Sequence, residues 1–286
     1  MELTGVIGGS GLYELPGFTM SERRAVMTPF GAPSDELVVG ELEGRPVAFL
    51  PRHGRDHRFS PSQVNYRANI FALKLLGATR VISVSAVGSM KEEIHPGDVV
   101  LIDQFIDRTL GRPRTFFDDG VAAHVSFADP ICEELRQALK AAVQKVGARH
   151  HDGGTYVCIE GPQFSTRAES RLFRSWGVSV IGMTNLPEAR LAREAELSYA
   201  TIALATDYDC WHEEADDVSV EAVVATLHKN VDTARRIIRE AILALPPVCT
   251  SPAREALSHA IMTRREAITP EVMARLGPLI GRRLER

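Results

Sequence analysis

Two acidic side chains follow an apolar run near the end of the sequence's third quarter, in residues 205–211 (ATDYDCW). Asp207 and Asp209 are two positions apart, so on an extended strand their side chains point to the same side. Like charges that close repel each other, and one carboxyl group is therefore expected to keep its proton and to act as an acid. A metal site and a simple surface loop are the alternatives. No further ligand has matching spacing for a metal, and a solvated loop is indicated by the acidic residues that follow, Glu213, Glu214, Asp216 and Asp217.

A second candidate segment, residues 51–57 (PRHGRDH), follows the apolar run 47–50. Its arginines carry planar guanidinium groups that suit a phosphate, and its histidines can donate hydrogen bonds to the same anion. Two arginines and two histidines within six residues would be unusual at a buried strand end without an anion. The segment therefore predicts an anion site, with a solvated basic loop as the alternative.

Two shorter segments also place small polar residues after apolar strands. In residues 6–11 (VIGGSG), glycines let backbone N–H groups approach an anion and Ser10 adds a hydroxyl. The segment is not a dinucleotide fingerprint, because position 14 is Glu, and no Gly-Lys-Ser/Thr follows to make a P-loop. Residues 83–89 (SVSAVGS) run from a strand into hydroxyl residues and Gly. Each of the two segments, taken alone, is equally compatible with a plain turn.

Size and composition exclude several classes of protein. The 286 residues are 44% apolar, which suits a globular chain with a sizeable core. A net charge of −4 disfavours nucleic-acid binding, and no apolar run is long enough to span a membrane. The first residues lack a basic, cleavable leader, so a cytoplasmic location is expected. The four cysteines are not at zinc spacing, and reduced thiols are expected, with a disulfide left open.

Short apolar runs alternate with longer helical patterns, which is typical of a largely parallel sheet covered by helices. Strands are predicted at 4–7, 47–50, 81–85, 99–102, 155–159, 178–182 and 199–205. Helices are predicted at 63–76, 130–146, 167–176, 187–195 and 218–245, with two more at 252–264 and 270–283. The fold class is therefore α/β: a single domain, residues 1–245, whose central mixed, mostly parallel twisted sheet is flanked by helices. Residues 246–286 are predicted to be a helical extension that packs on the core or on a neighbouring subunit.

Taken together, the segments resemble the 5'-methylthioadenosine phosphorylase branch of the trimeric purine nucleoside phosphorylases. The resemblance runs from about Thr4 to Leu245, in the order of that family's motifs. The matching stretches are residues 7–12 (IGGSGL), 52–55 (RHGR), 64–70 (VNYRANI), 97–99 (GDV), 103–109 (DQFIDRT), 160–169 (EGPQFSTRAE) and 206–211 (TDYDCW). The resemblance implies the nucleoside phosphorylase fold, phosphate as co-substrate, no cofactor or metal, and a homotrimer that needs neither nucleic acid nor membrane.

The resemblance also implies roles for individual residues. The residues expected to hold phosphate are Ser10, Arg52, His53, Ser85, Ala86 and Thr184. Met183 would lie against the ribose, Phe164 would stack on the purine with Ser165 near it, and Asp207 and Asp209 would contact purine N7 and the 6-amino group. An apolar pocket for the 5'-methylthio group would be lined by Val220, Val223 and Val224, and His124 would reach the same pocket of a neighbouring subunit.

These roles fit the chemistry of glycosidic cleavage, which passes through an oxocarbenium-like state. Phosphate would attack C1' while Asp207 neutralises the departing purine, help that is typically worth about 10²–10⁴-fold. Asp209 favours adenine, because a 6-oxo group would leave buried acceptors unpaired. Several positions that flank the ribose and the 5' pocket depart from the family pattern, so they bear on the preference for the methylthio group. Gly182 stands where relatives commonly carry Asn, and residues 185–187, Val87 and Val224 also vary. A 6-oxopurine or methylthioinosine phosphorylase and a non-catalytic binding protein remain the alternatives.

Overall fold

The computed structural model describes residues 1–212 and 220–284, and the side chains of residues 10, 220–225 and 227–229 lie outside what it describes. The described strands are β1 (Leu3–Gly8), β2 (Phe18–Arg24), β3 (Leu37–Leu42), β4 (Arg45–Pro51), β5 (Ala78–Ser89), β6 (Val99–Leu101), β7 (Gln104–Arg108), β8 (His150–Asp152), β9 (Thr155–Ile159), β10 (Val180–Gly182) and β11 (Ser198–Asp207). The described α-helices are α1 (Tyr66–Leu75), α2 (Glu133–Val146), α3 (Arg167–Ser175), α4 (Asn185–Glu194), α5 (Val220–Ala244) and α6 (Pro270–Leu284).

All of these strands belong to one sheet, and β5 organises it. Strand β5 pairs in parallel with β1 on one side and with β11 on the other, and its last residues pair antiparallel with β10. Parallel pairs also join β1 to β4 and β9 to β10 and β7, whereas β2, β3 and β4 form an antiparallel edge. The predicted mixed, mostly parallel sheet is confirmed. Because β1, β4, β5 and β11 run the same way, their carboxyl ends meet at one edge, where open α/β sheets bind ligands.

The core explains why these strands are apolar throughout. Residues of β1, β4, β5 and β11 are almost fully buried, as expected for strands covered on both faces. Strands β2, β3, β7 and β8 were not predicted, because they carry too few alternating apolar residues for a strand pattern. Strand β2 is mostly exposed and lies at the sheet edge. Its position depends on pairing with β3, which a local pattern does not contain.

Helix ends follow local capping chemistry. Asn65 accepts a hydrogen bond from the backbone N–H of Ala68, so α1 begins later than predicted. Thr166 and Glu169 form a capping box at the start of α3. The predicted start of α2 at Pro130 was wrong: the helix begins at Glu133 after Cys132, whose backbone N–H donates to Tyr199 O. That bond to β11 holds the chain extended before the helix.

The C-terminal segment packs on the same core. Leu257, Leu276, Leu279 and Ile280 are buried in the main hydrophobic cluster. The helix predicted at 252–264 was wrong, because only Pro252–Glu255 is helical, as a 3-10 turn, and Ile261 then forms a β-bridge with Ala123. The division at residue 245 stays a prediction. Within residues 1–212 and 220–284, no helix has both the length and the apolar character needed to cross a membrane.

All four cysteines are free thiols. Cys132, Cys158 and Cys249 are buried, and Cys210 is partly exposed next to the acidic segment. Burial raises the pKa of the Cys158 thiol to about 12, so this group stays protonated and inert at neutral pH. The expectation of reduced thiols is thus met by the described arrangement.

Candidate active site

A cavity of about 690 Å³ opens at the carboxyl ends of β1, β4, β5 and β11. That volume falls within the range of small-molecule sites, which is about 300–1,000 Å³. Ten of the predicted site residues line it: Arg52, His53, Ser85, Ala86, Phe164, Ser165, Met183, Thr184, Asp207 and Asp209. Seven of the ten form two groups, which we call the hydroxyl end (Arg52, His53, Ser85 and Thr184) and the acid end (Phe164, Asp207 and Asp209).

Strand β5 sets the distance between the two ends. Ser85 belongs to the hydroxyl end, whereas Gly88 pairs with Asp207 in the β5–β11 register. Three residues along a strand cover roughly 10 Å. A Cβ atom at Gly88 would lie 2.9 Å from Asp207 Oδ1, so glycine at this position leaves the room that the carboxyl group occupies.

Arg52 occupies a position different from the one expected. Its guanidinium is buried and pairs with Glu188 of α4, with Nε 2.7 Å from Oε2 and Nη2 3.0 Å from Oε1. Nη1 donates to Val84 O and Nη2 to Ser83 Oγ. These bonds leave at most one Nη1 hydrogen for an anion. The fork predicted to face phosphate is thus held by Glu188, and Arg52 as a direct phosphate ligand stays a prediction.

His53 is a neutral ring of defined tautomer. Its Nδ1 lies 2.8 Å from Phe59 O, and because a carbonyl only accepts, Nδ1 carries the hydrogen. Burial, and next the charge of Arg52, lower the pKa of His53 to about 4. At neutral pH, Nε2 is therefore an acceptor rather than the expected donor. A bound anion can pair with Nε2 only if a proton lies between them. Either the phosphate donates the hydrogen of its own P–O–H group, or its charge raises the pKa of the ring so that Nε2 becomes protonated.

Two hydroxyl groups meet at the hydroxyl end. Ser85 Oγ and Thr184 Oγ1 are 3.1 Å apart, and both residues are buried and line the cavity. Ser85 comes from β5 and Thr184 from the turn that follows β10, directly before α4. Hydroxyl groups both donate and accept, so a pair of them suits a phosphate in either protonation state.

Asp207 is the stronger candidate for an acid. Its carboxyl accepts hydrogen bonds from Thr206 Oγ1 at 2.7 Å and from the backbone N–H of Asp209 at 2.8 Å. Burial nevertheless outweighs these bonds and raises its pKa. A carboxyl group with a raised pKa at a cavity wall is suited to give a proton to a bound base.

Asp209 is buried beside it. Burial raises its pKa, and the charge of Asp207 adds to the effect. The residue has φ of 52°, a left-handed conformation that usually costs an L-residue roughly 1–2 kcal/mol. Asp209 lies beyond the end of β11 at Asp207, so the two side chains do not share one side through strand alternation, as the spacing argument assumed. The left-handed turn instead brings Asp209 N to the Asp207 carboxyl, and both residues line one cavity.

The remaining cavity wall offers an aromatic face. Phe164 is 43% exposed and lines the cavity, so its ring can contact a ligand there. Ser165 lines the same wall, and its buried Oγ has no hydrogen-bond partner among the described residues.

Arg112 fixes the loops that carry this wall. Its buried guanidinium donates to the carbonyl oxygens of Met183, Leu186 and Glu160 at 2.6–2.8 Å. One side chain thus joins the loop before Phe164 to the turn that contains Met183. Sequence reasoning missed Arg112, Glu188 and Tyr156, because only tertiary contacts reveal their partners.

Five predicted residues are not placed in this cavity. His124 is exposed and does not line it, and its backbone N–H donates to Ala260 O. The side chains of Ser10, Val220, Val223 and Val224 lie outside the described residues, although α5 contributes Val231 and Arg235 to the lining. In the part of the chain that is described, no cluster of three or more His, Cys, Asp or Glu side chains is arranged to hold a metal ion.

Comparisons with known proteins identify the family. Residues 4–243 match the phosphorylase superfamily. An S-methyl-5'-thioadenosine phosphorylase of Geobacter sulfurreducens is 59% identical over 281 residues and 98% of each chain, and that of Chloroflexus aurantiacus is 55% identical over 97% of each.

Solved structures agree with the sequence relatives. A methylthioadenosine phosphorylase from an antarctic soil metagenomic library has a TM-score of 0.92 at 49% identity, over 96% of this chain and 98% of its own. A mutant adenosine/methylthioadenosine phosphorylase of Schistosoma mansoni, in complex with methylthioadenosine, has a TM-score of 0.81 at 40% identity, over 85% of this chain and 91% of its own. The chain therefore belongs to the phosphorylase superfamily and, within it, to the S-methyl-5'-thioadenosine phosphorylases.

Proposed function

We propose that the protein cleaves 5'-methylthioadenosine with inorganic phosphate, giving adenine and 5-methylthioribose 1-phosphate. The observation that carries the proposal is one cavity with two chemically different ends, roughly 10 Å apart along β5. Hydroxyl groups and a neutral histidine stand at one end, and two carboxyl groups with raised pKa stand at the other. The names of the relatives described above agree with this chemistry.

The reaction divides between the two ends. At the hydroxyl end, Ser85, Thr184 and the backbone around Ala86 hold phosphate so that one of its oxygens faces C1'. As the new C1'–O bond forms, the C1'–N9 bond breaks and its electron pair moves into the purine. Asp207 gives its proton to N7, so the base leaves neutral. The Asp207 carboxylate is then reprotonated from solvent, and solvent takes up the proton that hydrogen phosphate loses as it becomes the sugar phosphate. Phosphate oxygens also stabilise the developing positive charge on the sugar.

Base preference follows from Asp209. An oxygen of its carboxylate accepts a hydrogen bond from the 6-amino group of adenine, whereas a 6-oxo group would face it with lone pairs. The aromatic face of Phe164 stacks on the purine. The second candidate is phosphorolysis of 6-oxopurine nucleosides or of methylthioinosine. This activity is favoured only when Asp209 is protonated, because the protonated carboxyl group can donate a hydrogen bond to a 6-oxo group.

No cofactor or metal is part of the proposal, and phosphate is a co-substrate. The predicted phosphate ligands Ser10 and Arg52 stay predictions, as do the ribose contact of Met183 and the 5' pocket formed by Val220, Val223 and Val224. We keep the homotrimer as part of the proposal, because His124 is exposed and is free to reach a neighbouring subunit. The cytoplasmic location and the salvage of purine and methionine also stay predictions.

A steady-state assay tests the proposed function. Purified protein is incubated with 5'-methylthioadenosine, with and without phosphate, and adenine and sugar phosphate are quantified. Turnover should require phosphate and should give the two products in equal amounts, with adenosine and inosine as comparison substrates. Equal turnover in phosphate-free buffer would refute phosphorolysis and point to hydrolysis.

The assembly has its own test. Light scattering on a size-exclusion column should give a mass three times the 31.4 kDa of one chain. His124→Ala should then raise KM for methylthioadenosine without dissociating the assembly. A monomer with full activity would exclude a site completed by a neighbouring subunit.

A further inference from the structure

Tyr156 is a fully buried polar side chain that no predicted role includes. It lies on β9, which pairs in parallel with β10, so its ring runs beneath the strand that leads to Met183 and Thr184. Burial raises its pKa to about 12, and the phenol therefore keeps its proton throughout the neutral range. A buried phenol of this kind is expected to have hydrogen-bond partners.

The Tyr156 side chain fills the space that a side chain at position 182 would need. A Cβ atom built on Gly182 would lie 2.0 Å from Tyr156 Oη and 2.5 Å from its Cζ. Gly182 is not among the glycines with positive φ, so its backbone conformation suits any residue. The reason for glycine here is therefore space, and residues 156 and 182 must be considered as a pair.

The hydroxyl of Tyr156 contacts both hydroxyl residues of the hydroxyl end. The backbone N–H of Thr184 donates to Tyr156 Oη at 3.3 Å, and Ser85 Oγ lies 3.5 Å from the same oxygen. Either oxygen can be the donor in the contact between Tyr156 and Ser85. The Ser85 hydroxyl also donates to Ala86 O at 3.3 Å, and Thr184 Oγ1 lies within its reach. When Tyr156 donates to Ser85 Oγ, the Ser85 hydrogen can turn from Ala86 O towards a bound anion.

We infer that Tyr156 is a positioning residue for phosphate, acting through Ser85 and Thr184 and depending on glycine at position 182. This inference rests on the proposed function. In the phosphate complex the phenol donates to Ser85 Oγ, so the Ser85 hydroxyl turns from Ala86 O and donates to the anion. It also binds the backbone N–H of Thr184, so Thr184 meets the anion with its side-chain hydroxyl. Chains of hydrogen bonds polarise one another, so the phenol strengthens the Ser85 donor.

Tyr156→Phe tests the chemical part of the inference. The KM for phosphate should rise roughly 5- to 30-fold, because the Ser85 donor loses its orientation and the Thr184 N–H loses its partner. The KM for the nucleoside should change less than about twofold, since the acid end is untouched. Ser198→Ala is the control: it removes another buried hydroxyl, which pairs with Cys249 Sγ at the start of β11, away from the cavity, and it should leave the phosphate KM unchanged.

Gly182→Ala tests the steric part. Alone it should lower the thermal midpoint and the activity, because the new Cβ displaces the Tyr156 ring. Gly182→Ala with Tyr156→Met removes that clash and should restore the thermal midpoint and the nucleoside KM, while the phosphate KM stays raised. A purely structural role predicts instead that both KM values recover together.

Each outcome has a defined meaning. If wild-type turnover does not require phosphate, the proposed function fails. If wild-type turnover does require it, the inference about Tyr156 is overturned by an unchanged phosphate KM in Tyr156→Phe, by an equal rise in the nucleoside KM, or by full recovery in the double variant. Calorimetric titration of the variants with inorganic phosphate gives the same comparison without turnover.

Discussion

The hydroxyl end and the acid end of the cavity treat charge in opposite ways. At the hydroxyl end, the charge of Arg52 is neutralised by Glu188 and His53 is neutral, so the groups left to bind an anion are mainly hydroxyls and backbone N–H groups. At the acid end, no cation is among the groups that shift the pKa of Asp207, and burial raises it. The hydroxyl end thus binds an anion with neutral dipoles, whereas the acid end holds a carboxyl group that can donate a proton.

This difference separates binding from proton transfer. Substitutions at the acid end should lower the rate of base departure, whereas substitutions at the hydroxyl end should change phosphate binding or stability. The predictions below test that division, starting with the largest expected effect.

Asp207→Ala should lower kcat/KM for methylthioadenosine by about 10²–10⁴-fold, because the departing purine loses its proton donor. The phosphate KM should change little. Steady-state kinetics with both substrates varied would measure this, and Asp207→Asn would show whether a neutral hydrogen-bond donor retains part of the rate. Wild-type kcat/KM in Asp207→Ala would contradict the role of the acid end.

Glu188→Gln should lower the free energy of unfolding by roughly 3–5 kcal/mol, because it leaves the buried Arg52 charge without its counter-ion. Urea unfolding would measure the loss. Glu36→Gln is the control, since Glu36 and Arg55 form an exposed pair that solvent screens, and its loss should lower the free energy of unfolding far less. Equal losses in the two variants would mean that the Arg52–Glu188 pair does not stabilise the hydroxyl end.

Asp209→Asn should narrow the preference for adenine over hypoxanthine nucleosides. The amide offers both a donor and an acceptor, so a 6-oxo group no longer faces only acceptor oxygens. Removing this one unpaired buried contact is worth about 1–3 kcal/mol, or roughly 5- to 150-fold in the preference for adenine over hypoxanthine nucleosides. The measurement is the ratio of kcat/KM for methylthioadenosine and methylthioinosine. Unchanged selectivity would show that Asp209 does not read position 6 of the base.

The same preference should depend on pH. The pKa of Asp209 is raised by burial, so the protonated form gains population as pH falls through that raised value. Protonated Asp209 can donate to a 6-oxo group, and the adenine preference should therefore weaken at acidic pH and return as pH rises. A selectivity ratio that is flat with pH in the wild type would contradict this.

The pKa of His53 gives the smallest expected effect, but it reports directly whether the hydroxyl end carries a cationic ring. In the phosphate-free protein its pKa should be about 4, far below an ordinary histidine, because burial and the charge of Arg52 disfavour its cation. Histidine-labelled protein titrated by NMR should show one ring that stays neutral down to about pH 5. A midpoint near 6.5 would mean that the hydroxyl end presents a cation to phosphate.

Much of the site could be predicted because its residues follow apolar strands that are recognisable on their own. Asp207 ends β11, Arg52 directly follows β4, and Ser85 lies in the last half of β5, so the parallel order of β1, β4, β5 and β11 brings them together. The resemblance to a known family added Phe164, Met183 and Thr184, which do line the cavity. The side chain of Ser10 and the three valines of α5 lie outside what the structure describes.

What could not be predicted depends on contacts between distant segments. Nothing near Arg52 indicates that Glu188, 136 residues later, takes up its guanidinium. The tautomer of His53 depends on Phe59 O, and the glycine at position 182 has a reason only when Tyr156 is seen beneath it. Strands β2 and β3 likewise form through pairing rather than through their own pattern.

A crystal structure with methylthioadenosine and sulfate bound would test the division between the two ends most directly, because sulfate stands in for phosphate and prevents turnover. It should place sulfate in contact with Ser85 and Thr184, and purine N7 within about 3.2 Å of an Asp207 carboxyl oxygen. A sulfate at the acid end, or an Asp207 carboxyl turned away from the purine, would contradict the proposed mechanism.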